Sequence, residues 1–259
     1  MKSPFAKQVT AQADRHLVRE VAKRLDAPAR RVFLKHSLSL GSLALLTGCN
    51  AETPEAVDKM LTRISRFNDR VQWALFNPNA LAPTYPDSMI TKPFPFNAYY
   101  DQDQVREIDG STWKLELAGL VADKRPWTLT DLAKLPQIAQ TTRHICVEGW
   151  SAIGKWGGIP FKTFLEKVGA DTTAKYVAFK CGDDYSTSID MPTALHPQTI
   201  MTLTFADRTL PPDYGYPMKV RIPTKLGYKN PKHVMAITVT NTYPGGYWED
   251  QGYNWYGGS

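Results

Sequence analysis

The sequence predicts an α+β domain of several small mixed sheets with short helices, behind a basic leader and an irregular N-terminal segment. Three observations carry that expectation. Short alternating apolar runs recur from residue 113 to residue 240, most of them closed by polar, Pro- or Gly-containing turns. Brief stretches of helical spacing stand among them, without the regular strand–helix alternation of a parallel sheet. The composition, 42% hydrophobic and 22% charged over 259 residues, is that of a globular protein with a sizeable core.

Taken in order, residues 55–76 place Val57, Met60, Leu61, Ile64, Phe67, Val71 and Leu75 at the three- and four-residue spacing of one helical face. This helix is expected to dock on the body or to tether it to a membrane. The Pro-rich stretch "NPNALAPTYPDSMITKPFPF" is too broken for either periodic element. "TWKLELAGLV" alternates Trp113, Leu115 and Leu117 as a half-buried strand, and "TLTDLAKLP" reads as a short helix capped by Thr130 and stopped by Pro136. "IAQTTRHICVEG" is the next strand, with His144 and Cys146 on one face, and it runs into a Trp/Gly-rich turn. "PFKTFLEKVGA" is a short helix with Gly169 just past its end. "KYVAFKC" places Val177, Phe179 and Cys181 on one strand face, and "TIMTLTF", "PMKVRIP" and "HVMAITVTN" are further strands. The tail "YPGGYWEDQGYNWYGG" is aromatic and Gly-rich, a surface that packs loosely or lines a cleft.

The pI of about 9.1 does not signal nucleic acid. Residues 1–48 hold nine Lys/Arg against three acidic residues, while the remainder carries 22 of each sign and is neutral. The leader contains Arg30 and Arg31, then Ser37 to Thr47 without a charge, a run too short for the ~20 residues that span a bilayer. That pattern describes an export signal of the twin-arginine type. "LTGC" ends it as a lipobox does, making Cys49 the candidate lipidation site and first residue of a mature, envelope-bound protein. Residues 1–49 are thus expected to be a leader, 50–95 a helical and Pro-rich segment, and 96–259 the functional domain.

Of three cysteines, two lie beyond Cys49. In an exported protein Cys146 and Cys181 either pair or leave at least one thiol for chemistry. The chain contains no phosphate-binding Gly loop, dinucleotide fingerprint, metalloprotease helix, zinc knuckle or haem-attachment motif. Cys146 has three candidate tasks: filling a core, attacking a substrate with His144 as base, or serving as thiolate to a soft or high-valent metal whose other ligands come from an organic cofactor. Spacing alone leaves all three open.

"RHICVEGWSAIGKWGGIPF" resembles the cofactor segment of the sulfite oxidase-like molybdopterin-dependent oxidoreductases. The resemblance continues through "AKYVAFKC", "HPQTIMTLTFADRTLPPDYGYPMKVRIPTKLGYKNPKHV" and "GYWEDQGY", covering about residues 95–253. Within that family it is nearest to the class of the exported catalytic subunit of periplasmic methionine-sulfoxide reductase. The resemblance implies the sulfite oxidase-like molybdopterin-binding fold and a molybdenum–molybdopterin cofactor. It makes Cys146 the catalytic molybdenum ligand and Asn97 a pterin contact, with Tyr100 and Asp101 beside it. Cys181 falls where the reductase has a Thr near the cofactor. Lys219 stands where an Arg contacts the pterin phosphate, with Arg221 as possible substitute, and Asn230, Pro231 and Lys232 match the phosphate cradle after "GYK". Tyr214 replaces a family Asn or His. Lys219, Arg221, Lys225, Lys229 and Lys232, crowded into a neutral domain, would by themselves read as a solvated face; the resemblance implies an anionic phosphate in a cleft instead.

The sulfite oxidases place an Arg soon after the ligand Cys, where "CVEGWSAIGKW" offers only Lys155. Trp150 and Trp156 there favour a small neutral oxide such as a sulfoxide. The expected function is oxygen-atom transfer in the periplasm or cell envelope, with electrons exchanged with a separate membrane or periplasmic redox protein. The alternatives are a sulfite-oxidising relative, in which Lys155 or Arg143 does the work of the missing Arg, a cofactor-free envelope lipoprotein acting as a binding module, and a thiol hydrolase. Replacing Arg30 and Arg31 by Lys is expected to leave unprocessed precursor in the cytoplasm, and Cys49→Ala to release the protein from membranes. Immunoblots of fractionated cells check both.

Overall fold

The computed structural model describes residues 55–77 and 80–259. The leader and Cys49 lie outside them. The chain divides into two compact units, residues 1–60 and 61–259, and of the first only the start of helix α1 (Glu55–Leu75) is described.

Two sheets build the second unit. One has four strands in the order β1 (Glu116–Gly119), β9 (Val234–Thr240), β4 (Tyr176–Cys181) and β5 (Ser186–Asp190). Only the β1–β9 pair in it is parallel. The other runs β2 (Ile138–Ile145), β3 (Ser151–Pro160), β6 (Ile200–Phe205) and β7 (Arg208–Thr209), with β8 (Lys219–Arg221) also paired to β6. Every pair in this second sheet is antiparallel. Short helices α2 (Leu129–Ala133), α3 (Phe161–Lys167) and α4 (Met191–Ala194) connect the strands. This is the α+β arrangement of small mixed sheets that the sequence predicts.

Trp113, Leu115 and Leu117 are buried, as their alternation requires, and join Trp127, Phe161, Phe164, Val177 and Phe179 in the main core. A smaller aromatic cluster of Phe94, Trp156, Phe205 and Tyr214 lies beside it. Three expectations are corrected. Helix α2 is capped by Thr128, not Thr130: Thr128 Oγ1 accepts the Asp131 amide while the Asp131 carboxylate accepts the Thr128 amide. The Trp/Gly-rich stretch after residue 150 is not a turn but β3, the longest strand. Its glycines hide the strand signal, and they are there for close approach: a Cβ on Gly158 meets the Met201 carbonyl oxygen at 1.9 Å, beside the bulge at Gly157/Gly158. The polar β5, "STSID", gives no apolar alternation either: its Thr187 and Ser188 are buried in hydrogen bonds to Glu249 and the Gly245 carbonyl, and Asp190 is buried as well. Finally, the apolar face of α1 does not dock on the body, and Phe67 is 63% exposed.

Gly158→Ala is expected to destabilise the cofactor-free protein by roughly 1–3 kcal/mol through forced displacement of β6. Urea unfolding of the variant beside the wild type measures it.

Candidate active site

Cys146 follows β2 directly and opens a five-residue hairpin loop, since Ile145 pairs with Ser151 across it. The Cys146 amide donates to the Trp150 carbonyl at 2.9 Å and the Gly149 amide to the Cys146 carbonyl at 3.1 Å. Gly149 has a φ of +91°, a left-handed conformation that glycine adopts freely. The thiol is 5% exposed and lines a cavity. Asn97 Nδ2 donates to Sγ at 3.2 Å, and the Glu148 carboxylate lies 3.6 Å away, itself accepting from Trp150 Nε1 at 2.9 Å. Burial pushes the Cys146 thiol above its ordinary pKa; the Glu148 amide and Asn97 act in the opposite sense, and the Glu148 carboxylate adds to the rise.

His144 is not the partner of this thiol. Its ring lies against Phe94 and Trp150, both of its nitrogens are buried without a hydrogen bond, and burial holds its pKa well below the ordinary value. Gly227 closes over it, since a Cβ there comes within 2.8 Å of Nε2. The thiol-hydrolase pairing is therefore not formed. Cys181 is also a free, buried thiol, so no disulfide joins it to Cys146.

Beneath the cavity, Arg221 acts as a brace. Its guanidinium donates to the Arg143 carbonyl at 2.6 Å, to Thr142 Oγ1 at 3.2 Å and to Asn230 Oδ1 at 2.8 Å, leaving Nε as its one buried donor without a partner. The same Asn230 oxygen accepts the Ile222 amide, and Asn230 Nδ2 donates to the Leu226 carbonyl. Asn230 thus sets the loop after the single 3-10 turn Gly227–Lys229, and the Pro231 carbonyl accepts the Val220 amide. Lys232 reaches the cavity, donates to the Asp213 carbonyl at 3.1 Å and stands over the Phe96 ring. Burial brings its pKa down to about 8. Lys219, fully enclosed with its ammonium over Trp156, is pulled well below the ordinary lysine value by burial and then by Lys232 and Arg221. Cys181 lies within electrostatic reach of Lys219 and Lys232.

Of the residues singled out from the sequence, Asn97, Cys146, Asn230 and Lys232 line the cavity. Tyr100 stands behind it, donating to Asp183 Oδ2 at 2.9 Å, and Asp101 is exposed. Tyr214 spends its hydroxyl on the Phe94 carbonyl at 2.8 Å and packs into the aromatic cluster, and Trp156 is buried there too, so it forms no substrate wall. Tyr99, Tyr185, Tyr228, Trp248 and Tyr253 supply the aromatic lining instead, with Asp183. The tail brings Trp248 and Tyr253 because Glu249 is held underneath by a buried ion pair with Lys229 and by Thr187 Oγ1. The aromatic richness of the tail is visible in the sequence; Tyr99, Asp183 and Tyr185 leave no signal there.

A molybdopterin fits these residues. It needs a thiolate and places phosphate in the protein, and here a thiol lines a cavity beside buried cations, of which Lys232 feels Asp183 and Asp213 only through space. Among the described residues, no ion pair involves Lys219, Arg221 or Lys232. No three His, Cys, Asp or Glu side chains converge as a metal cage among them either. The family described as the oxidoreductase molybdopterin binding domain matches residues 102–248. The chain belongs to this family. It is a molybdopterin-dependent oxidoreductase with the sulfite oxidase-like fold. It is 64% identical, over 93% of its length and 92% of the other's, to a protein of Azospira oryzae named "Putative protein-methionine-sulfoxide reductase subunit YedZ1". It is 28% identical, over 71% of its length and 63% of the other's, to the protein-methionine-sulfoxide reductase catalytic subunit MsrP of Ralstonia nicotianae. Among solved structures it is similar in fold to the sulfane dehydrogenase SoxCD of Paracoccus pantotrophus, with a TM-score of 0.50 and 17% identity over 53% of this chain and 40% of that one.

Lys219→Met is expected to stabilise the cofactor-free protein near pH 7 by about 1 kcal/mol or more while lowering cofactor retention. Lys219 has a lower pKa folded than unfolded, so the unfolded chain binds the extra proton and wild-type stability rises as pH climbs from the folded pKa toward ~10.4. That contribution to the pH slope is expected to vanish in the variant. Urea unfolding at several pH values and molybdenum analysis test it.

Proposed function

We propose that this oxidoreductase is an exported catalytic subunit that reduces a small neutral oxide such as a sulfoxide, with Cys146 as the single protein thiolate on molybdenum. The observation that carries the reading is the charge around that thiol. The Glu148 carboxylate stands beside it, and the two cations that could serve a sulfite oxyanion are held elsewhere. Lys155 is paired with Asp87 at 2.8 Å and Asp207 at 2.7 Å, and Arg143 stacks on Tyr85. A doubly charged oxyanion meets an acidic group there; a neutral sulfoxide meets aromatic rings that hold its apolar substituents.

Reduction of a sulfoxide takes two electrons and two protons and releases water with the sulfide. The bound cofactor supplies the two-electron oxygen-atom transfer. The chain orients: Asn97 fixes the direction of Sγ, Arg221 and Asn230 hold the strand end and the loop, and Lys219 and Lys232 offer charge to the cofactor phosphate. The names of the two relatives, a subunit and a catalytic subunit of protein-methionine-sulfoxide reductase, support both a sulfoxide substrate and a separate electron-donating partner. The leader supports a periplasmic or envelope location with lipid on Cys49.

The expected metal content is about one molybdenum per chain, lost in Cys146→Ala with the circular dichroism spectrum unchanged. On the same loaded sample, sulfoxide reduction with an artificial donor is expected to exceed sulfite oxidation by orders of magnitude. Saturable, fast sulfite turnover reverses the assignment, and a metal-free wild type favours a cofactor-free binding module.

A further inference from the structure

Helix α1 turns the wrong way for a helix in water. Leu61, Ile64, Phe67, Val71 and Leu75 form one stripe, each between 39% and 79% exposed. The edge toward the body is polar instead: Ser65, Asp69 and Gln72 are half-buried, and the Asp69 carboxylate accepts the Tyr256 amide at 2.9 Å. An amphipathic helix that packs on its own domain does the reverse. A contiguous apolar stripe fixed outward in this way marks a surface with an outside occupant.

The charges say which occupant. Arg63 and Arg70 flank the Phe67 edge of the stripe and Arg66 lies farther round the helix toward the cleft, and among the described residues no ion pair involves them. Arg66, Arg70 and Trp73 line an open cleft of about 1150 Å³ together with Lys162, Lys175 and Trp255, and its four cations outnumber its two carboxylates, Asp69 and Asp190. Trp73 is itself 55% exposed. A row of apolar side chains flanked by arginines is the composition of a helix lying in the plane of a membrane surface, apolar stems in the acyl boundary and cations among headgroups. Two copies meeting through this face would set like charges against each other. No helix among the described residues is long and apolar enough to cross a membrane, so the contact is with the surface.

We propose that residues 61–75 of α1, with the basic cleft beside them, bind the surface of an anionic phospholipid bilayer and hold the catalytic domain against it. The proposal deepens the reading of an envelope-bound enzyme and rests on it for the location. Five residues separate Cys49 from the first residue of α1, a length that extends at most about 20 Å. A lipid on Cys49 therefore keeps this helix at the bilayer, and the helix is the second attachment that a single acyl chain needs for stable anchoring.

The test uses the molybdenum-loaded, exported protein carrying Cys49→Ala, so that no acyl chain contributes. It is expected to co-sediment with vesicles of mixed phosphatidylglycerol and phosphatidylcholine and at least tenfold less with phosphatidylcholine alone. Phe67→Glu with Val71→Glu, and separately Arg66→Gln with Arg70→Gln, should each weaken vesicle binding at least tenfold. Molybdenum content and turnover with an artificial donor should stay unchanged. Equal binding by wild type and the glutamate variant overturns the proposal. So does concentration-dependent dimerisation that the glutamate variant abolishes without any vesicle binding. Loss of molybdenum in the parent protein strikes the enzymatic reading and leaves the vesicle result to be judged alone.

Discussion

Arg221 is the constraint on which the site depends. One guanidinium on β8 reaches the carbonyl of Arg143 and the hydroxyl of Thr142 near the end of β2, and the side-chain oxygen of Asn230. It therefore ties the strand that delivers Cys146 to the loop that delivers Lys232. These segments are far apart in sequence: β2 and β8 belong to one sheet, and the loop runs on into β9 of the other. Burial lowers the pKa of Arg221, yet a guanidinium keeps its proton at any physiological pH, so the brace cannot switch off.

The same geometry has an energetic cost that function explains. Lys219, Arg221 and Lys232 are buried together with carbonyl and aromatic neighbours but without a carboxylate in ion-pair contact among the described residues. Desolvated cations that repel one another are tolerated in a folded protein when an anion completes them. Lys229 makes the contrast: equally buried, it has Glu249, and that pair anchors the tail rather than facing a ligand. A protein that binds a phosphate-bearing cofactor before it works spends its life with the charge neutralised, so the instability belongs to the cofactor-free state.

Around Cys146 the electrostatics point the other way. The loop places the Glu148 carboxylate beside the thiol, and aromatic rings line the same cavity with Asp183 and Lys232. The placement follows from strand direction: β2 runs toward its hairpin loop, leaving Thr142 on the Arg221 brace and Cys146 and Glu148 in the cavity lining.

The sequence by itself determined the elements whose signal is local. Strand alternation at Trp113, Leu115 and Leu117, the helix at Phe161–Lys167 ended by Gly169, the helix at residues 55–75 and the unusual setting of Cys146 were all legible, because each rests on neighbours within a few residues. A motif resemblance extended this to the family and to Asn97, Asn230 and Lys232. Only the tertiary structure decided what contacts between distant segments decide. It turned the glycines of residues 151–160 into a strand, because Gly158 passes against the Met201 carbonyl. It moved Trp156 and Tyr214 out of the cavity lining into an aromatic cluster, and brought Tyr99, Asp183 and Tyr185 in. It also set the apolar face of α1 outward, which no periodicity distinguishes from inward. A pattern shows that a face is apolar; what lies against it depends on where the rest of the chain goes.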